Sequence, residues 1–170
     1  RQLIDWVGEP DPSPEHLRVL IIDDDVDDRA FLRDAIAGTV GMTIDVTEAS
    51  NATEGRRAIL ERSHDVILID QRLGHFSGLD LVRELHEVAS GPMIVVTGTD
   101  DPEIDHEAQR AGAHDYLLKQ EIQASWIGRT LRYAAVASIA RSPAGVASSG
   151  KPAAARQFAA AIRRPPGTSR

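Results

Sequence analysis

The sequence contains no cysteine, so disulfide scaffolds, thiolate zinc sites and cysteine nucleophiles are excluded together. It has no long apolar run either. The longest late one, Ala134 to Ala137 and onward to Ala140, falls well short of the ~18 residues that a membrane span needs. No signal-peptide pattern opens the chain, and a soluble cytoplasmic protein is expected, with the first residue, Arg rather than Met, leaving room for an upstream piece. Acids are missing from one whole end. All 26 Asp and Glu lie in residues 1–121 with 11 of the 19 Lys and Arg, while the other 8 bases fall in residues 122–170. A phosphate backbone needs clustered Lys and Arg, so an acidic body of this kind makes nucleic acid an unexpected partner.

At 170 residues the chain has room for one domain and a tail. Residues 1–16 carry Pro10, Pro12 and Pro14, an alternation that reads as an extended lead-in unable to close a helix. Residues 17–141 then alternate short aliphatic runs with stretches whose apolar residues recur at helical spacing. The runs are Val19–Ile22, Met42–Val46, Val66–Ile69, Met93–Val96 and Tyr116–Leu118. Three of them are apolar without alternation, which suits strands covered on both faces of a parallel sheet, whereas Met42–Val46 alternates and reads as an edge.

Helical patterns fill the gaps, the last from about Ile122 to Arg141. Asp27 and Asp28, Asn51, and Asp100-Asp101-Pro102 supply helix starts, and Gly112 stands where a C-terminal cap is expected. Five strands alternating with five helices imply right-handed crossovers and a doubly wound five-stranded parallel sheet, an α/β fold. Residues 142–170 are rich in Ala, Pro, Gly and Ser, with too few large apolar groups for a core, and read as a mobile basic tail.

In such a sheet ligands sit beyond the carboxyl ends of the strands. Those ends deliver Asp23-Asp24-Asp25, then Asp70, then Thr97-Gly98, then Lys119, with only Thr47 and Glu48 from the edge strand. Converging carboxylates repel one another and take up protons unless a cation joins them. Mg²⁺ meets that need, being a hard ion that keeps several waters and typically takes one or two carboxylates plus phosphate oxygens. A phosphoryl group would then supply the anion for Lys119 and the Thr97 hydroxyl, and Asp70 is the natural nucleophile because carboxylates form acyl phosphates.

These pieces, Val19–Asp25, Asp65–Asp70, Gly78 eight residues on, Ile94–Gly98 and Ala111–Lys119, occur in an order and spacing that resembles the receiver domain of bacterial two-component response regulators. The resemblance covers about Leu17 to Arg141 and implies the flavodoxin-like strand order 2-1-3-4-5. It implies that Asp70 accepts phosphate from a histidine kinase or a histidine phosphotransfer protein. It further implies that Asp23 and Asp24 bind Mg²⁺, one directly and one through water, with Asp70 and the backbone carbonyl of Arg72 as further ligands. Thr97 and Tyr116 fall at the switch positions, Lys119 at the phosphoryl-contacting lysine, and Gly98 at the small residue that leaves room for the phosphoryl group.

Two departures stand out. Gln120 follows Lys119 where the family usually has a cis-proline, and a non-proline cis bond costs ~2.5 to 4 kcal/mol, so a trans loop is expected. Gly74 replaces the usual proline after the phosphoacceptor, which predicts a looser loop over residues 72–75.

Other readings compete. A haloacid-dehalogenase-type phosphatase would use Asp23 as nucleophile and Asp25 as acid/base, but it needs an acidic metal motif after the lysine, where only Glu121 stands. A receiver-like scaffold no longer phosphorylated would account for Gln120 and Gly74. His64, His75 and His114 lack metal spacing and read as surface or loop groups. Arg72, beside the acceptor, is placed to influence water attack or partner docking. The 29-residue tail has no room for a helix-turn-helix or enzymatic output domain, so output is expected by protein contact or through a domain beyond this chain. The small residues from Ala134 to Ala140 suggest a homodimer through the last helix.

Overall fold

A computed structural model describes residues 16–139. Five strands, β1 (His16–Ile22), β2 (Thr43–Ala49), β3 (Val66–Asp70), β4 (Met93–Thr97) and β5 (Asp115–Leu118), form one parallel sheet in the order β2-β1-β3-β4-β5. Five helices connect or follow them: α1 (Val26–Ala37), α2 (Ala52–Glu61), α3 (Gly78–Leu85), α4 (Pro102–Ala111) and α5 (Ala124–Ile139). This is the doubly wound arrangement expected from the alternation of strand and helix patterns.

The strand sequences explain the layering. β3 and β4 are buried at every position, so both of their faces need apolar side chains, and each is β-branched or long aliphatic up to its last residue. Leu20, Ile22, Ile67, Ile69, Met93 and Val95 point to a core shared with α2, α3 and α4. Val19, Ile21, Val66, Leu68, Ile94, Val96 and Leu117 point the other way, to a core shared with α1 and α5. Burying one such Ile or Leu contributes roughly 1.5–3 kcal/mol, and two cores on opposite faces hold the strand ends in a common row.

Local signals place the helix starts. The Asp25 carboxylate caps α1 by accepting from the Asp27 and Asp28 N–H groups, so the cap is Asp25 and the two acids expected to precede the helix form its first turn. Asn51 caps α2 by accepting from Glu54 N–H, and Glu54 reaches back to Ser50. Asp101 caps α4 with Pro102 in its first turn, and Gly112 closes that helix. Among the described residues no helix is long and apolar enough to cross a membrane.

Several boundaries differ from the sequence expectation. β1 starts at His16, which the extended lead-in was expected to include; residues 1–15 and the expected tail 142–170 lie outside the described residues. β2 runs on to Ala49, and Glu48 pairs with Arg29 at 3.8 Å and Arg33 at 3.2 Å instead of standing beyond the strand. α5 begins at Ala124, after a 3-10 turn over Lys119–Glu121. Of the small residues expected to face a second chain, Ala134 is 5% exposed and packs in the protein's own core.

His64 is buried as well, not a surface group. Its backbone N–H donates to Ser90 Oγ at 2.7 Å and its carbonyl accepts from the same hydroxyl at 3.0 Å, so Ser90 ties the turn before β3 inward. Burial holds the His64 imidazole below its usual pKa.

Candidate functional site

The carboxyl ends of β1, β3, β4 and β5 meet at one rim. Asp23 follows β1, Asp70 ends β3, Thr97 ends β4 and Lys119 follows β5. The register sets Asp70 opposite Val96 and Thr97 opposite Leu118, so the sheet itself fixes the heights of these groups. One carboxylate oxygen from each of Asp23, Asp24 and Asp70 lies within 4.8 Å of the others, the separation at which a single cation reaches all three.

Asp23 is fully buried. Its Oδ1 accepts from Asp25 N–H at 2.9 Å, its Oδ2 accepts from Lys119 Nζ at 2.9 Å, and its own backbone carbonyl accepts from the Arg29 guanidinium at 2.8 Å. Asp24 is exposed at the mouth. Asp70 is 9% exposed; its Oδ1 lies 3.1 Å from Lys119 Nζ and its carboxylate accepts from the Arg72 backbone N–H. Lys119 also donates to Asp28 Oδ2 at 2.5 Å, so one ammonium serves three carboxylates.

The electrostatics reflect that sharing. Burial, and then the charge of Asp23, push the Asp70 carboxyl up from 3.8 to about 6, and Lys119 only partly opposes the shift. Burial also raises Asp23 against the pull of Lys119. Burial by itself would lower Lys119, but hydrogen bonds to Asp28 and Asp23, with the charges of Asp70 and Asp23, outweigh it and hold the ammonium above its usual range. The two results agree once stoichiometry is counted: the lysine gains from three carboxylates, while each carboxylate receives a share of one ammonium.

The loop after Asp70 is tight, not loose. Arg72–Leu73 and Phe76–Ser77 pair as an antiparallel hairpin, and Gly74 turns it with φ +64°. A Cβ at Gly74 would stand 3.9 Å from Asp24 Oδ2, so the hairpin forms one side of the acidic mouth. Gly78 N–H donates to the Gln71 carbonyl at 2.8 Å, and a Cβ on Gly78 would come within 2.0 Å of the Asp70 carbonyl oxygen. Only glycine fits there, which makes Gly78 a determinant of where Asp70 sits. The described backbone has no cis peptide bond, so Lys119–Gln120 is trans as expected.

Thr97 is 1% exposed, and its hydroxyl donates to Gln71 Oε1 at 2.9 Å while accepting from Thr99 N–H at 3.2 Å. Tyr116 is half-buried, and its hydroxyl donates to the Thr99 carbonyl at 2.7 Å and accepts from Asp101 N–H at 3.4 Å. Both side chains therefore hold the loop between β4 and α4. A Cβ on Gly98 would meet nothing within 4 Å, which leaves open space beside Thr97.

Sequence reasoning missed three members of this constellation. Asp28 stands in the first turn of α1 and binds Lys119, Arg29 binds the Asp23 carbonyl, and Gln71 binds Thr97. Asp28 carried a usable signal, because its spacing from Asp23 returns it to the same rim. Arg72, as expected, lies beside Asp70, but its observed contact is through its N–H. A nucleophilic role for Asp23 is disfavoured, since that carboxylate is enclosed and already committed to Lys119 and Asp25.

The family model of the response regulator receiver domain matches residues 19–127. The KDP operon transcriptional regulatory protein KdpE of Escherichia coli is 35% identical over 101 residues, covering 59% of this chain and 44% of that protein. The chain thus matches less than half the length of that relative. The signal receiver domain of NarL from Mycobacterium tuberculosis shares the fold, with a TM-score of 0.62 and 23% identity over 69% of this chain and 94% of that one. A Burkholderia pseudomallei response regulator, solved with a phosphorylated aspartic acid, calcium ion and citrate, gives 0.54 and 27% over 61% and 59%.

Proposed function

The chain belongs to the response regulator receiver family, and from that premise we propose that it is a cytoplasmic phosphorylation switch. Asp70 accepts a phosphoryl group from a sensor histidine kinase or a histidine phosphotransfer protein. The observation that carries this reading is the convergence of the Asp23, Asp24 and Asp70 carboxylates with the Lys119 ammonium bound to two of them.

In the transfer, an Asp70 carboxylate oxygen attacks phosphorus, the P–N bond to the donor imidazole breaks, and the departing nitrogen keeps the electron pair, so that an imidazole already protonated on its other ring nitrogen leaves neutral. With a pKa of about 6, Asp70 is mostly ionised near neutral pH and competent to attack. An all-oxygen donor set rich in carboxylates fits Mg²⁺, which Asp23, Asp24, Asp70 and the Arg72 carbonyl would hold. When bound, the cation neutralises the carboxylates and the phosphoryl oxygens they face. Lys119 then contributes its ammonium and Thr97 its hydroxyl to the acyl phosphate, with Gly98 leaving room for it. Movement of Thr97 frees Thr99, which Tyr116 also holds, and so alters the face formed by α4, β5 and α5. Output passes from that face to a target protein or to a second copy of the chain through α5.

Incubation with Mg²⁺ and acetyl phosphate should give an acid-stable, base-labile phosphoryl adduct that Asp70→Asn abolishes. Absence of the adduct in the wild-type chain would refute the switch and favour a phosphorylation-independent scaffold.

A further inference from the structure

We propose that Gln71 is a positioning residue that holds the Thr97 hydroxyl in the resting conformation and thereby sets the threshold for engaging a phosphoryl group. This role rests on the phosphoacceptor function proposed for Asp70. Gln71 directly follows Asp70, and its backbone is pinned on both sides. Its N–H donates to the Val96 carbonyl at 2.9 Å and its carbonyl accepts from Gly78 N–H at 2.8 Å. The side chain therefore starts from a fixed point, and its Oε1 meets Thr97 Oγ1 at 2.9 Å.

A threonine hydroxyl has one proton to donate. Here that proton goes to Gln71, and the Thr99 N–H at 3.2 Å occupies the oxygen as acceptor. The other acceptor near Thr97 Oγ1 is the Thr99 carbonyl at 3.5 Å, a poorer contact. With Thr97 1% exposed, water is not a ready substitute partner. An oxygen atom on a phosphorylated Asp70 must therefore take the proton away from Gln71. The amide and the phosphoryl group compete for one donor, and weakening the amide side shifts the balance toward the engaged state.

A neutral hydrogen bond of this kind biases such an equilibrium by about three- to tenfold. Beryllofluoride, a tetrahedral phosphoryl mimic, tests this without a transfer step. Its dissociation constant in saturating Mg²⁺ is measured calorimetrically for the wild-type chain, Gln71→Ala, Thr97→Ala and the double variant, with urea stability followed in parallel. Gln71→Leu, which keeps bulk and removes the acceptor, serves if the alanine variant folds poorly.

The expected result is about three- to tenfold tighter binding on removing the amide in the Thr97 background, and no gain once Thr97→Ala is present. A merely structural role would not make the gain depend on Thr97. Tight binding by the wild-type chain with no gain in either Gln71 variant overturns the role of Gln71 alone, as does a gain that persists with Thr97→Ala. No binding by the wild-type chain overturns the phosphoacceptor reading and this role with it.

Discussion

Replacing Asp70 with asparagine should make the metal-free protein more stable, although it removes the group on which the proposed chemistry depends. The unfolded chain ionises this carboxyl near 3.8 and the native chain near 6. Between those values the native state binds more protons than the unfolded one, so stability falls as pH rises through the window. Below 3.8 the cost is absent, and above about 6 it is fully expressed. A shift of about two units corresponds to roughly 3 kcal/mol, and at 9% exposure little of it is screened by solvent. Asparagine keeps the shape and an oxygen for Lys119 but carries no charge toward Asp23.

Urea unfolding followed by circular dichroism in EDTA measures the difference. Asp70→Asn should gain about 2–3 kcal/mol at pH 7.5, and the gain should shrink steadily as pH is lowered from 6 toward 4. A variant no more stable than the wild-type chain at pH 7.5, or a gain that ignores pH, would show that Lys119 already compensates both carboxylates in full.

Two further substitutions probe the same rim. Lys119→Met removes the shared ammonium, so it should destabilise the metal-free protein by roughly 3 kcal/mol and bind Mg²⁺ more tightly by calorimetry; unchanged or weaker Mg²⁺ binding would contradict the idea that lysine and metal share the carboxylates. Gly78→Ala forces a methyl group against the Asp70 carbonyl and should cost roughly 3 kcal/mol or more in urea midpoint measurements; a loss below about 0.5 kcal/mol would mean that the hairpin yields freely.

The contrast between these residues explains which parts of the site are legible in the sequence. The expected positions of Asp23, Asp70, Thr97 and Lys119 come from backbone topology. Central strands of a parallel sheet are covered on both faces, so their apolar runs have sharp ends, and the residues just past those ends must stand on the same rim. β2 has partly exposed faces and no such run, so its pattern fades before Ala49 and leaves Glu48 looking like a residue beyond the strand.

Side-chain partners obey a different logic. That Asp28 reaches Lys119 depends on how α1 seats against the sheet, and that Thr97 turns to Gln71 depends on the choice of one rotamer among several. The burial of His64 escapes a local reading for a related reason, because Ser90 satisfies its backbone from 26 positions away. Gly74 shows the converse error: the freedom of glycine suggests slack, whereas a positive φ is what a tight hairpin turn requires. Topology thus brings together the groups on which the proposed chemistry depends, while the contacts made to them by Gln71 and Asp28 are tertiary. Under the phosphoacceptor role proposed for Asp70, substitutions at Gln71 and Asp28 should therefore change phosphoryl lifetime and switching threshold while leaving the Asp23, Asp24 and Asp70 carboxylates in place.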